Sequence, residues 1–136
     1  TLESITTVHK WGLSSHDSPV NWTSGNIFLI GDALHPMLPF LAQGANSALE
    51  DAFVLKKLMS FLGASEAAEK YFEIRKPRLV RLMKQIKNNA WKFHLEHSFF
   101  RTCTHSGLRF LDKSFPQSAS LPFRWLYNYD VTKLNI

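Results

Sequence analysis

Asp32 and the tetrapeptide Gln43-Gly44-Ala45-Asn46 are the residues of this chain with the clearest chemistry. Asp32 follows the apolar run Ile27-Phe28-Leu29-Ile30, which reads as a buried strand. A carboxylate at the end of such a strand costs free energy unless it gains partners. The hydroxyls of a polyol would serve, since a hydrogen bond to a charged acceptor contributes roughly 1.5–3 kcal/mol. The tetrapeptide opens a helix. Gly44 lets backbone approach a ligand closely, and the free N–H groups of a helix start carry roughly half a positive charge, which suits an anionic group. An acceptor for hydroxyls beside donors for an anion describes a place for a polar cofactor. The plain alternatives are that Asp32 caps a turn or pairs with His35, and that Gly44-Ala45-Asn46 is an ordinary helix entry.

The elements that must position these residues follow from the pattern. Ile5 to Trp11 alternates loosely and is β-branched, predicting a strand. Residues 14–25 are rich in Ser, Asp, Pro, Asn and Gly and form a loop. Asn26 to Ile30 predicts a buried strand. Pro36 and Pro39 keep the next segment irregular. A helix then runs from Gly44–Ser47 to about Leu62; Ala48, Leu49, Ala52, Phe53, Leu55, Leu58, Met59 and Leu62 cover more than one face, so it should be mostly buried. Gly63 fits its C-cap, and Ser65 fits the N-cap of a second helix with Glu66 and Glu69 near its positive end. That helix carries Tyr71, Phe72 and Ile74 and should kink or restart at Pro77. Beyond it, Leu79, Met83, Ile86, Ala90 and Phe93 mark an amphipathic helix whose other face shows Arg78, Arg81, Lys84, Lys87, Asn88 and Lys92. From Ser98 the pattern breaks into an aromatic-rich tail with Pro116 and Pro122. The chain thus divides into strands and loop over 1–30, the candidate cofactor motif with its buried helix over 31–62, and helices plus tail over 63–136.

Composition narrows the classes. With 45% hydrophobic and 20% charged residues and eleven Phe, a chain of 136 residues is globular rather than disordered. No run approaches the ~18 apolar residues of a membrane span. Thr1-Leu2-Glu3-Ser4 shows no signal peptide, and the sequon Asn21-Trp22-Thr23 has no other sign of secretion behind it. Cys103 is the single cysteine, which excludes an intrachain disulfide and fits a reduced, cytoplasmic setting. The net charge of +5 and the basic stripe from Arg75 to Lys92 permit an anionic partner, but the stripe lacks interleaved aromatics, so no nucleic-acid role is assigned and a solvated face is expected. His94-x-x-His97 and Cys103-x-His105 do not match a closed zinc site, and no metal is assigned. The chain does not begin with Met, so Thr1 reads as a processed, trimmed or internal position.

The run Gly31-Asp32-Ala33-Leu34-His35, with Pro39, Gln43-Gly44-Ala45-Asn46 and Asp51-Ala52 at fixed distances, resembles the second flavin-contacting motif of the class A flavoprotein monooxygenases, the FAD-dependent aromatic hydroxylases of the salicylate hydroxylase type. Tyr71-x-x-x-Arg75-x-Pro77-Arg78 and Trp125-Leu126-Tyr127-x-Tyr129-Asp130 are similar to two further signatures of that family's C-terminal third. Leu34 and Leu41 depart from its usual residues without removing a polar contact. The resemblance implies an α/β fold class: the C-terminal strand-plus-helices portion of a Rossmann-like FAD-binding domain, mostly helical after residue 44. It implies that Asp32 binds the ribityl chain of FAD. The backbone at Gly44, Ala45 and Asn46 would face the pyrimidine edge of the flavin, Gln43 would join the cofactor-binding set, and Pro39 would lie beside the ring and help line the substrate pocket. The implied reaction is NAD(P)H-dependent hydroxylation of an aromatic or other ring-containing small molecule. His35 is implied to be structural, Asp51 is expected to pair or cap, and no residue stands out as a general acid or base. The six glycines form no Gly-x-Gly-x-x-Gly, so the pyrophosphate turn, the family's middle Asp-Gly motif and most of the substrate sheet would come from an upstream, N-terminal portion of the same enzyme. The alternatives are a truncated, non-catalytic relative and a basic helical interaction module.

Overall fold

The structure, a computed structural model, describes residues 6–15, 21–93, 102, 106–107 and 121–136. Among them two helices dominate, α1 (Gly44–Met59) and α2 (Ala64–Phe93), preceded by a hairpin of β1 (Thr23–Ser24) and β2 (Ile27–Phe28) and followed by a short α3 (Arg124–Tyr127). Turns of 3-10 helix at Gly31–Ala33, Pro39–Leu41, Leu121–Phe123 and Val131–Lys133 join these pieces.

The expected strand at Ile5–Trp11 is not formed over residues 6–11, where Val8 and Trp11 are exposed. An alternating pattern needs a partner strand, and the described residues offer none. The expected strand at 26–30 is reduced to two residues, paired antiparallel with Thr23 opposite Phe28 and Ser24 opposite Ile27. Gly25 makes the turn at φ +57°, which favours glycine. Ile27 points to solvent, so this is a hairpin rather than a buried sheet strand. The mostly helical character after residue 44 is as expected; a parallel sheet is not formed among the described residues.

The helices differ from expectation in ways that matter for the site. α1 buries Ser47, Glu50, Asp51, Val54 and Leu58, a stripe that is polar at its N-terminal half, while Leu49 and Met59 stand exposed. Gly63 caps the next helix rather than ending α1: its carbonyl accepts from Ala67 N at 2.9 Å, placing Ser65 inside the first turn. α2 runs uninterrupted through Pro77, although an interior proline costs ~3 kcal/mol. Tertiary anchors on both sides of Pro77, described below, offset that cost. Arg75 and Arg78 are buried, so the basic stripe expected from Arg75 to Lys92 loses its first two members.

The main core joins Trp22, Leu34, Val54, Leu58, Ala67, Tyr71 and Leu79. Trp22 packs edge-on against Tyr71 and Phe72, with ring centroids 5.7 and 5.0 Å apart. A second cluster of Leu41, Leu82, Ile86 and Leu126 seats α3 and the Pro39–Leu41 turn on the far half of α2. Replacing a buried aromatic by alanine costs ~3–5 kcal/mol, so Trp22→Ala should lower the urea unfolding midpoint sharply. Trp11→Ala, at an exposed position, should stay within about 0.5 kcal/mol of the parent.

Candidate cofactor site

The site is built on the turn after β2. Gly31 adopts φ +57° and packs its α-carbon so close to α1 that a Cβ there would lie 3.1 Å from the Cβ of Ala48. Its carbonyl accepts from both Leu34 N and His35 N at 2.9 Å, closing the turn. Leu34 and His35 point inward and are fully buried; Asp32 and Ala33 are left on the outside. Asp32 has no hydrogen-bond partner among the described residues. It nevertheless lies over the start of α1, because a Cβ at Gly44 would sit 3.9 Å from Asp32 Oδ1.

The start of α1 is similarly open. Gln43 is its N-cap residue and supplies no side-chain cap. Its buried amide oxygen instead accepts from Asn46 Nδ2 at 3.1 Å, and the same Nδ2 donates to Glu50 Oε1 at 3.2 Å. The first-turn N–H groups of a helix have no intrahelical acceptor, and Gly44, Ala45 and Asn46 occupy that turn. Pro39 opens the preceding turn and is exposed; Ala42, which follows that turn, takes a left-handed φ of 51° and so redirects the chain into α1. The structure therefore brings Asp32 and Gly44 together, links Gln43 to Asn46, and holds Pro39 on the adjoining loop. An exposed acceptor beside uncapped helix donors matches the acceptor for hydroxyls and the donors for an anionic edge that a polyol attached to such a ring requires, so the residues present fit a flavin.

Beneath this surface runs a buried ionic network. Asp51 Oδ2 accepts from Gly31 N at 3.0 Å and from His35 Nε2 at 2.6 Å. Asp51 Oδ1 accepts from Arg75 Nε at 2.8 Å. Arg75 Nη1 donates to Glu50 Oε2 at 2.7 Å, and Nη2 to the carbonyl of Ser47 at 3.3 Å. Arg78 forks onto Glu50, with Nε to Oε2 and Nη2 to Oε1 both at 2.7 Å. It also stacks over the Tyr129 ring at 3.6 Å. Tyr71 donates to the carbonyl of Leu29 at 3.3 Å, tying α2 to the end of the hairpin. Burial alone would push the Asp51 carboxyl up, but the His35 hydrogen bond, the Arg75 charge and the Gly31 N–H outweigh it and hold it below the usual carboxylate range. Burial would likewise lower Arg75, and the charges of Asp51 and Glu50 reverse that. Tyr71 is pushed up, first by burial and then by the Asp51 charge.

His35 is thus a structural partner of Asp51, in the pairing role expected for Asp51. Glu50, Arg75 and Arg78 were not legible as site residues. Their signal is two adjacent acids on a face that otherwise packs inward, opposite two arginines three residues apart on the next helix. The histidine and cysteine pairs His94, His97, Cys103 and His105 lie outside the described residues. Among the described residues no cluster of acids, histidines or cysteines is placed to hold a metal, and no helix is long and apolar enough to cross a membrane.

With this geometry in place, comparison with known proteins is specific. Residues 1–86 match the family described as FAD binding domain, and the chain belongs to that family. Over 90% of its length it is 36% identical to a 3-amino-4-hydroxybenzoate 2-monooxygenase of Streptomyces platensis, of which it covers 30%. It is 33% identical over 95% of its length to the FAD-dependent monooxygenase OpS4 of Beauveria bassiana, covering 33% of that protein. Over 66% of its length it is 37% identical to a 6-hydroxynicotinate 3-monooxygenase of Bordetella bronchiseptica, covering 24%. The chain is therefore a member of the FAD-dependent monooxygenase family, and spans about a third or less of the relatives it matches.

Removing one partner from a buried ion pair costs ~3–5 kcal/mol, so Arg75→Met should destabilise strongly. Lys70→Met, which breaks the exposed pair with Glu73, should cost no more than about 1 kcal/mol. Because the Asp51 carboxyl is held below its ordinary value of 3.8, its stabilising contribution is complete above that pH and is lost as pH falls through the folded-state value. Chemical unfolding across the acid range should show this fall, and Asp51→Asn should flatten it.

Proposed function

We propose that this chain forms the C-terminal part of the FAD site in an NAD(P)H-dependent, cytoplasmic flavoprotein monooxygenase that hydroxylates an aromatic small molecule. It would act together with an N-terminal portion of the same enzyme that supplies the pyrophosphate turn and most of the substrate pocket. The observation that carries the reading is the juxtaposition of the Asp32 carboxylate with the uncapped first turn of α1 at Gly44. When bound, FAD would supply the electron transfer and oxygen chemistry that amino-acid side chains cannot. The chain's own residues bind and orient. Asp32 accepts from the ribityl hydroxyls. The N–H groups of Gly44, Ala45 and Asn46 favour negative charge on the pyrimidine edge through the helix-start dipole. Gln43 and Asn46, linked through their amides, fix the shape of that helix start. Pro39, lacking an N–H, stiffens the wall beside the ring. The names of the relatives, which act on aminohydroxybenzoate, hydroxynicotinate and hydroxybenzoate, favour a hydroxylated aromatic or heteroaromatic acid as substrate. The single cysteine supports the reduced compartment.

The complete gene product should purify yellow, with flavin absorbance near ~450 nm, and aromatic acids should stimulate its consumption of NADH or NADPH. Asp32→Ala should weaken FAD binding by about tenfold or more, the worth of a hydrogen bond to a charged acceptor, with the melting temperature of the FAD-free protein unchanged because the side chain is exposed. A colourless protein that binds no added FAD would defeat the proposal.

A further inference from the structure

We propose that Asp51 is a positioning residue for cofactor binding: a single buried carboxylate oxygen clamps both ends of the turn that presents Asp32. The inference rests on the reading that Asp32 binds FAD. The near end of the turn is Gly31, whose N–H donates to Asp51 Oδ2 at 3.0 Å; the far end is His35, whose Nε2 meets the same oxygen at 2.6 Å. The carbonyl of Gly31 is held by Leu34 N and His35 N, so the two clamped ends are also bonded to each other. Asp32 and Ala33 are the loop of this buckle and the members that face outward. Arg75 takes the other oxygen of Asp51 and so fixes the carboxylate plane. Nothing else on α1 reaches the turn with a hydrogen bond among the described residues, although α1 packs closely on it. The left-handed Gly31 makes such a clamp necessary, because glycine at φ +57° has many other conformations open to it.

An asparagine at 51 keeps the shape but offers one acceptor where the aspartate offers two. In the complete gene product, FAD dissociation constants from flavin fluorescence quenching should rise about tenfold for Asp32→Ala and by a similar factor for Asp51→Asn, each the worth of about one charged hydrogen bond. The double variant should be no weaker than the weaker single, since residues acting as a unit are non-additive. Amide hydrogen exchange at Gly31 and His35 should speed up in Asp51→Asn, even for molecules that remain folded. Should Asp51→Asn fail to fold, His35→Leu, which has no donor for Asp51, releases only the far end of the turn and should still weaken FAD several-fold. If Asp32→Ala weakens FAD while Asp51→Asn or, failing that, His35→Leu binds as tightly as the parent, the positioning role is wrong and the flavin reading stands. If Asp32→Ala has no effect, both fall.

Discussion

The guanidinium of Arg75, enclosed between Asp51, Glu50 and the carbonyl of Ser47, is the interaction on which the rest of this structure depends. All three of its nitrogens are directed at α1. A charge so fully enclosed tolerates only one arrangement of the helices around it, since any slip leaves an unpaired ion in a medium that penalises it by several kcal/mol. Set against well-packed apolar side chains, such a network adds little net stability. What it adds is register: which turn of α2 meets which turn of α1, and at what rotation.

That register explains why α1 turns a polar stripe inward. Ser47, Glu50 and Asp51 face the arginines, and Leu49 and Met59 are carried round to solvent. It also explains how α2 passes through Pro77 without a break, with Arg75 and Arg78 holding the helix on either side. The tail completes the set. Arg78 reaches the carbonyl of Leu126 at 3.5 Å and stacks on Tyr129, while Arg81 stacks on Trp125 at 4.0 Å.

Much of the loop from Gly31 to Gly44 was legible in the amino-acid order, because glycine, proline and short polar residues at fixed distances constrain the backbone locally. The helix starting near Gly44 needed only that local logic; Asp32, read as ending a buried strand, instead stands exposed, because that strand is only a short hairpin. The parts that were not legible depend on partners far away in the chain. Ile27-Phe28-Leu29-Ile30 reads as a core strand by hydropathy, yet two of its residues make a hairpin, because a strand is buried only if neighbours cover it. Arg75 and Arg78 read as solvated because their counter-ions lie 25 and 28 positions upstream. Gly63 reads from its neighbours as the end of the first helix, and the hydrogen bond from Ala67 instead makes it the start of the second.

The clamp on the turn at Gly31 also sets the order in which the chain can fold. Its hydrogen bond to Asp51 spans 20 positions, that from Arg75 to Asp51 spans 24, and that from Arg78 to Leu126 spans 48. Closure entropy must be met before such distant contacts reward it. Helices α1 and α2 can grow from neighbouring residues, but the turn carrying Asp32 acquires its shape only after they have docked. The surface best suited to hold a ligand is therefore a late product of folding, and its loss would be an early sign of the chain loosening, well before its helices melt.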